Sequence, residues 1–281
     1  MTVPSEATAV TAASRSNLAF SFLSLTPEVR RDMEILYAFC RIIDDAADEA
    51  DAPVATRRAQ LDAWRRALTE PAEGEPALAP VLREMTARRG ISAALLGEIM
   101  DGVEMDLDHR RYANLADLAS YCHRVAGCVG LASLQIFGCA GPGARTYALE
   151  LGNALQWTNI LRDVASDLAD RDRVYLPIED LARFGLVDTD LPDSSARFTE
   201  LMVFEAARAQ QFFDAAIRAR KTLTRDQRRR LSAAEVMRDA YGILLRKMRA
   251  DGFRVFHRRY RLTLLDKALL LLRSYWRRIF P

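Results

Sequence analysis

Two acidic pairs, each with a four-residue step, stand far apart in this chain. Asp44 and Asp48 lie in Cys40-Arg41-Ile42-Ile43-Asp44-Asp45-Ala46-Ala47-Asp48, and Asp163 and Asp167 lie in Asn159-Ile160-Leu161-Arg162-Asp163-Val164-Ala165-Ser166-Asp167. A helix returns to nearly the same face after four residues, so each pair aims two carboxylates in one direction. Two such pairs facing each other would hold Mg²⁺ between carboxylate oxygens and a diphosphate. For either run alone, a solvated charged face is an equally good account. The surroundings tip the balance. Met33, Ile35, Leu36, Tyr37, Phe39 and Ile42 precede the first pair, and Leu149, Leu151, Ala154, Leu155, Ile160 and Leu161 precede the second. Carboxylates on largely buried helices repel one another and lose hydration unless cations or hydrogen bonds compensate.

Each pair extends into a polar ridge. Tyr37, Arg41, Asp44 or Asp45, and Asp48 follow steps of three or four, as do Gln156, Asn159, Asp163 and Asp167, with Arg162 alongside. A guanidinium beside acids balances their charge or contacts a diphosphate directly. Arg171 and Arg173, in the loop that follows, read equally as solvated charges or as site residues. Between the ridges runs Tyr121-Cys122-His123-Arg124-Val125-Ala126-Gly127-Cys128-Val129-Gly130. Its glycines cost a helix roughly 1 kcal/mol each relative to Ala, which invites either close helix packing or room for a ligand.

The elements that must position these residues read as helices. The 281 residues are half apolar, with only 13 glycines and 10 prolines, enough for a large helical core. The periodicity predicts helices from Pro27 to about Asp51 and over Ala55–Leu68, Ala77–Arg88, Ser92–Leu107, Leu115–Phe137, Gly143–Leu168, Ser194–Lys221, Arg225–Asp251 and Thr263–Ile279. No linker forces a second domain, so residues 16–281 read as one all-α domain and 1–15 as a disordered lead-in. A net charge of +2 argues against a nucleic-acid partner. Cys40, Cys122, Cys128 and Cys139 lack zinc-site spacing and read as core residues in a reducing compartment; His109, His123 and His257 are too scattered for a metal cluster. No stretch has the length and purity of a transmembrane span. From Arg246 to Pro281, however, eleven Lys or Arg face only Asp251 and Asp266 and alternate with aromatics. That pattern suits an amphipathic helix on an anionic bilayer. A terminal helix docking Leu264, Leu265 and Leu269–Leu272 on the core is the alternative.

Five separated motifs, covering roughly Ser16 to Arg259, resemble those of the squalene and phytoene synthases in order. They are Ser16-Asn17 before Leu25-Thr26-Pro27-Glu28; Tyr37-Ala38-Phe39-Cys40-Arg41 leading into Asp44 to Asp48; Asp101-Gly102-Val103-Glu104-Met105-Asp106-Leu107; Tyr121 to Gly130; and Asn159 to Asp167 with Arg173-Val174-Tyr175-Leu176-Pro177. The resemblance implies the isoprenoid synthase fold, a helical domain around a central apolar channel closed at one end by the acidic pairs. It implies that Asp44, Asp48, Asp163 and Asp167 bind Mg²⁺, and that Arg41 and Arg162 support the diphosphate, with Tyr241 and Arg258 added from the C-terminal part. Tyr37 joins them as a substrate contact, Asn159 and Gln156 line the upper cavity, and Tyr121 serves the first half-reaction. Leu18 and Trp157 depart from the family's pattern, and both bear on cavity shape.

The implied activity is head-to-head (1'-2-3) condensation of two farnesyl diphosphates to presqualene diphosphate, with NADPH needed only if the reaction continues to squalene. The segment Tyr121 to Gly138 resembles the bacterial squalene-pathway members. A phytoene or dehydrosqualene synthase is the alternative, and a non-catalytic helical assembly factor is the reading from another class. The implied setting is the cytoplasm, with peripheral membrane contact through the basic C-terminal segment and a downstream isoprenoid enzyme as a further partner.

Overall fold

The computed structural model describes residues 21–49, 51–108, 111–193 and 195–279. The expected lead-in, Ser16-Asn17, Leu18, His109 and Phe280 lie outside them. Twelve α-helices are seen among the described residues: α1 (Pro27–Asp48), α2 (Val54–Ala67), α3 (Ala79–Arg89), α4 (Ala93–Asp108), α5 (Leu115–Cys122), α6 (Cys128–Ile136), α7 (Pro142–Arg171), α8 (Ile178–Arg183), α9 (Ala196–Lys221), α10 (Arg225–Arg230), α11 (Ser232–Ala250) and α12 (Leu264–Ile279). The sole β feature described is an isolated bridge between Arg111 and Val174.

Each long helix is amphipathic, and the apolar faces meet in one core. On α1 the buried positions Ile35, Leu36, Phe39, Ile43 and Ala47 recur at steps of three and four. The central helix α7 starts with Pro142 in its first turn, where the missing N–H costs nothing, and ends at Asp172 in the left-handed region (φ 52). It packs along α9, the α5–α6 segment and α11. Contact with α6 and its preceding turn is close because glycines permit it. A Cβ on Gly130 would sit 2.8 Å from the Ala148 carbonyl oxygen, and one on Gly152 would sit 2.7 Å from that of Ala126. Helix packing is therefore one answer to the glycines of that run.

The continuous helix expected over Leu115–Phe137 is instead α5 and α6 joined by a π turn, His123–Gly127. Such a turn inserts an extra residue and re-aims the side chains beyond it. The helix expected over Arg225–Asp251 divides at Leu231, whose backbone (φ −83, ψ 16) leaves the helical region so that its side chain enters the core. Three short elements were not anticipated, 3₁₀ turns at Phe22–Ser24 and Asp188–Asp193 and α8 after Pro177. Trp157 is fully buried, but it faces α9 and not the channel: its Nε1 donates to Glu205 Oε2 at 3.0 Å. The four cysteines are free; three are buried in the core, and Cys40 is half-buried on the channel wall.

Candidate active site

An apolar channel of about 370 Å³ runs between α1, α4, the α5–α6 segment, α7 and α11. Its walls are built by residues such as Leu36, Val103, Val129, Leu151 and Met237, and its polar end carries Tyr37, Arg41, Asp44, Gln156, Asn159 and Tyr241. The two ridges read from the sequence therefore do converge on one cavity. Asn159 Nδ2 lies 3.5 Å from Gln156 Oε1, while the Asn159 Oδ1 atom is buried without a protein partner. Such a buried acceptor calls for a donor from a ligand or water.

The acidic pairs face each other across this end and are tied together by arginines. Asp48 accepts from Arg173 Nη1 at 2.7 Å and pairs with Arg171 Nη2 at 3.0 Å; Arg171 Nη1 in turn lies 3.8 Å from Asp167. Both arginines thus belong to the site: α7 runs beyond the expected Leu168, so Arg171 is its last residue and not a loop charge, and Arg173, just after it, is itself buried. Arg41 pairs with Asp44 at 3.3 Å and with Asp45 at 2.5 Å. Arg162 holds Asp163 through two nitrogens, with Nε at 2.9 Å. Burial works against its charge, but Asp163 and Tyr241 hold its guanidinium above the ordinary value. Arg258 lies elsewhere: it pairs with Asp251 at 3.3 Å and stacks over Tyr260, and its neighbour Arg259 is the one facing Asp163, at 4.0 Å. Irregular backbone between α11 and α12 sets which of the two points inward, and helical spacing does not reach it.

Asp106 was absent from the sequence-derived site and proves to be its hub. It is buried and accepts from Tyr121 at 3.0 Å and from Tyr175 at 2.7 Å, while Arg173 Nη2 donates to its carbonyl at 3.0 Å. Tyr112, Tyr121 and Tyr175 stack around it with ring centroids 5.2–5.7 Å apart. Burial pushes Asp106 up to about 6, against the pull of Arg173. Tyr121 lies well above its ordinary value, first through burial and then through Asp106. Its hydroxyl is a neutral donor, which makes it unsuited to taking a proton as a phenolate. A sequence signal for Asp106 did exist. Leu96, Ile99, Val103 and Asp106 follow steps of three and four on the buried face of α4, so this carboxylate stands in a core position.

Burial and then Asp163 push Asp167 up to about 7, and burial and then Asp48 raise Asp44, although 47% of the Asp44 side chain faces the open cleft. Carboxylates disfavoured as isolated anions are those a bound cation stabilises, and oxygen donors suit a hard ion such as Mg²⁺. Among the described residues no three acidic, cysteine or histidine side chains converge on one point. A cation here would draw part of its shell from diphosphate and water, as Mg²⁺ commonly does.

The family model for squalene/phytoene synthase matches residues 11–266. The chain belongs to the squalene/phytoene synthase family. It is 34% identical to the phytoene synthase of Mycobacterium tuberculosis over 264 residues, 92% of this chain and 86% of that protein. It is also 34% identical to the presqualene diphosphate synthase of Zymomonas mobilis over 248 residues, 87% and 84% of the two chains. Among solved structures, squalene synthase HpnC from Alicyclobacillus acidocaldarius superposes with a TM-score of 0.76 at 26% identity, over 89% of this chain and 94% of the other. A dehydrosqualene synthase shares the fold with a TM-score of 0.78 at 24% identity, over 98% and 95%. Squalene/phytoene synthases are prenyltransferases that condense isoprenoid diphosphates head to head and generally engage the diphosphate through a divalent metal.

Proposed function

We propose that the protein condenses two farnesyl diphosphates to presqualene diphosphate. The observation that carries this reading is the junction of a single apolar channel with two facing carboxylate pairs, Asp44/Asp48 and Asp163/Asp167. Those four aspartates would hold Mg²⁺, which supplies positive charge to the pyrophosphate as it departs. Arg41, Arg162 and Arg171 add fixed positive charge around the same oxygens, and Tyr37, Gln156, Asn159 and Tyr241 orient the head of the substrate. The C1–O bond of the first farnesyl diphosphate breaks, leaving an allylic cation that the apolar walls keep from water. The C2–C3 double bond of the second molecule attacks C1. Loss of one proton closes the cyclopropane, so two substrates give presqualene diphosphate, pyrophosphate and a proton. Tyr121, as a neutral donor on Asp106, acts by positioning that carboxylate and the Arg173–Asp48 pair behind it.

The squalene branch is supported by the resemblance across Tyr121 to Gly138 and by the likeness to the presqualene diphosphate synthase. The relatives named phytoene synthase keep a C40 product as the second reading. NADPH enters only if the product continues to squalene. Incubation with farnesyl or geranylgeranyl diphosphate and Mg²⁺, with and without NADPH, tests the reading by product analysis. Presqualene diphosphate from the C15 substrate supports it; a C40 polyene with farnesyl diphosphate unused refutes the squalene branch.

A peripheral, cytoplasm-facing membrane setting is part of the proposal. Among the described residues no helix is long and apolar enough to cross a membrane. On α12, however, Leu265, Leu269, Leu272 and Trp276 form a stripe at steps of four, three and four, each more than half exposed, whereas Leu270 and Ser274 on the opposite side are buried. The docked-helix alternative therefore accounts for one face of α12 only. The outward stripe, set in the basic C-terminal segment, suits an anionic bilayer into which an apolar product partitions.

A further inference from the structure

The end of the channel remote from the aspartates is closed by a polar device. Three helices give the direction. On α7 the lining runs from Asn159 back to Tyr147, twelve residues or about 18 Å at 1.5 Å per residue. On α11 it runs from Tyr241, which contacts Arg162, back toward Ala233. The α5–α6 segment enters beside Asp106 at Tyr121 and leaves at Phe137. Phe137, Tyr147 and Leu231 accordingly share the far end.

There Tyr147 is fully buried, and its hydroxyl donates to Glu235 Oε1 at 2.8 Å. Glu235 pairs in turn with Arg220 Nε at 2.8 Å and Arg238 Nη1 at 3.0 Å, and Arg238 is held by Asp239 at 2.8 Å. A Leu or Met at the end of an apolar channel yields by changing rotamer. This ring does not, because turning it aside strands a hydroxyl and opens a buried ionic network. We infer that Tyr147, tethered by Glu235, is the fixed wall that limits the channel to a farnesyl-length chain. The inference rests on the prenyl diphosphate reading of the same channel, and it adds the residue that measures the tail.

The test is calorimetric binding of non-reacting farnesyl and geranylgeranyl thiodiphosphates with Mg²⁺, so that chain length is read without condensation. The wild type binds the C15 analogue more tightly. Tyr147→Ala moves the C20-to-C15 affinity ratio toward C20 by at least about tenfold, the least that added hydrocarbon against a fixed wall is worth. Tyr147→Phe keeps the ring but removes its tether to Glu235, so it shifts the ratio in the same direction as the Ala variant and by less. Circular dichroism checks folding, and Tyr147→Leu, which leaves less void, shifts the ratio in the same direction should the Ala variant unfold. An unmoved ratio in a folded Ala or Leu variant overturns the inference, as does a wild type indifferent to length. If the analogues bind and the ratio shifts but no condensation product forms, the wall stands and the condensation reading falls. If neither analogue binds, both fall.

Discussion

Arg208→Met should destabilise the protein by about 3–5 kcal/mol at pH 8, because one guanidinium nitrogen serves two carboxylates that have almost no access to water. Arg208 Nη1 lies 2.8 Å from Asp180 Oδ2 and 2.8 and 2.9 Å from the two oxygens of Glu205, whose side chain has 0% exposure. Methionine fills the space and removes the charge, so Glu205 keeps the Trp157 indole N–H at 3.0 Å and its contact with Asp180, neither of which supplies positive charge. The loss depends on pH with a definite sign. Burial pushes Glu205 above the usual carboxylate range, against Arg208 and Trp157; without Arg208 its folded pKa rises further. A carboxyl with a raised folded pKa contributes stability that is fully present below its unfolded pKa and is lost as pH rises through the folded value. The deficit of the variant is therefore larger at pH 8 than at pH 5: Asp180 loses its partner at both values, while the part due to Glu205 appears only above its wild-type folded value of about 7 and amounts to about 1.4 kcal/mol by pH 8. Calorimetric scans at both values read it, with roughly 2–4 °C of Tm per kcal/mol. A loss below about 1 kcal/mol at pH 8, or one independent of pH, would refute the argument that this cluster pins α7 to α9.

Three further predictions concern packing, the tyrosine cluster and the membrane. Gly152→Ala places a methyl 2.7 Å from the Ala126 carbonyl oxygen and should cost about 1–3 kcal/mol by denaturant titration; a neutral result would show that the contact is looser than described. Tyr121→Phe removes one of two hydroxyls on Asp106 and should cost about 1.5–3 kcal/mol of stability while slowing the first condensation, with farnesyl diphosphate affinity retained. An unchanged single-turnover rate would show Tyr121 to be a packing residue alone. Leu265→Asp with Leu269→Asp should abolish sedimentation with anionic vesicles while leaving turnover of detergent-solubilised substrate intact; unchanged sedimentation would count against the membrane role of α12.

What the sequence disclosed and what it hid follow from range. Helical spacing is local, so the α1 and α7 ridges were legible, and Tyr37, Arg41, Asp44, Gln156, Asn159 and Tyr241 do line one channel. Asp106 stood at a core position of α4, but a carboxylate within an acidic motif reads as a solvated charge until Tyr121, Tyr175 and Arg173 arrive from other segments. Arg171 and Arg173 could not be weighed for the same reason, since their partner Asp48 lies more than 120 residues away. The break near Leu231 had a readable start. Thr224 and Gln227 form a capping box that opens the short α10, whereas the end of that helix depends on Leu231 entering the core. The π turn at His123–Gly127 has no such cap; what surrounds it comes from distant segments, with Gly102 of α4 packed against Arg124 and Val125 and Gly152 of α7 against Ala126.

The central claim is that the two facing aspartate pairs ionise a prenyl diphosphate for condensation in the channel. Its most direct test is the amount of pyrophosphate and presqualene diphosphate formed from farnesyl diphosphate and Mg²⁺ by the wild type, Asp44→Asn and Asp163→Asn. The account predicts one pyrophosphate per presqualene diphosphate in the wild type, none without divalent metal, and turnover lowered at least about 10²-fold in either variant with the helical circular dichroism unchanged. Near-normal, Mg²⁺-dependent pyrophosphate release by either folded variant would contradict it.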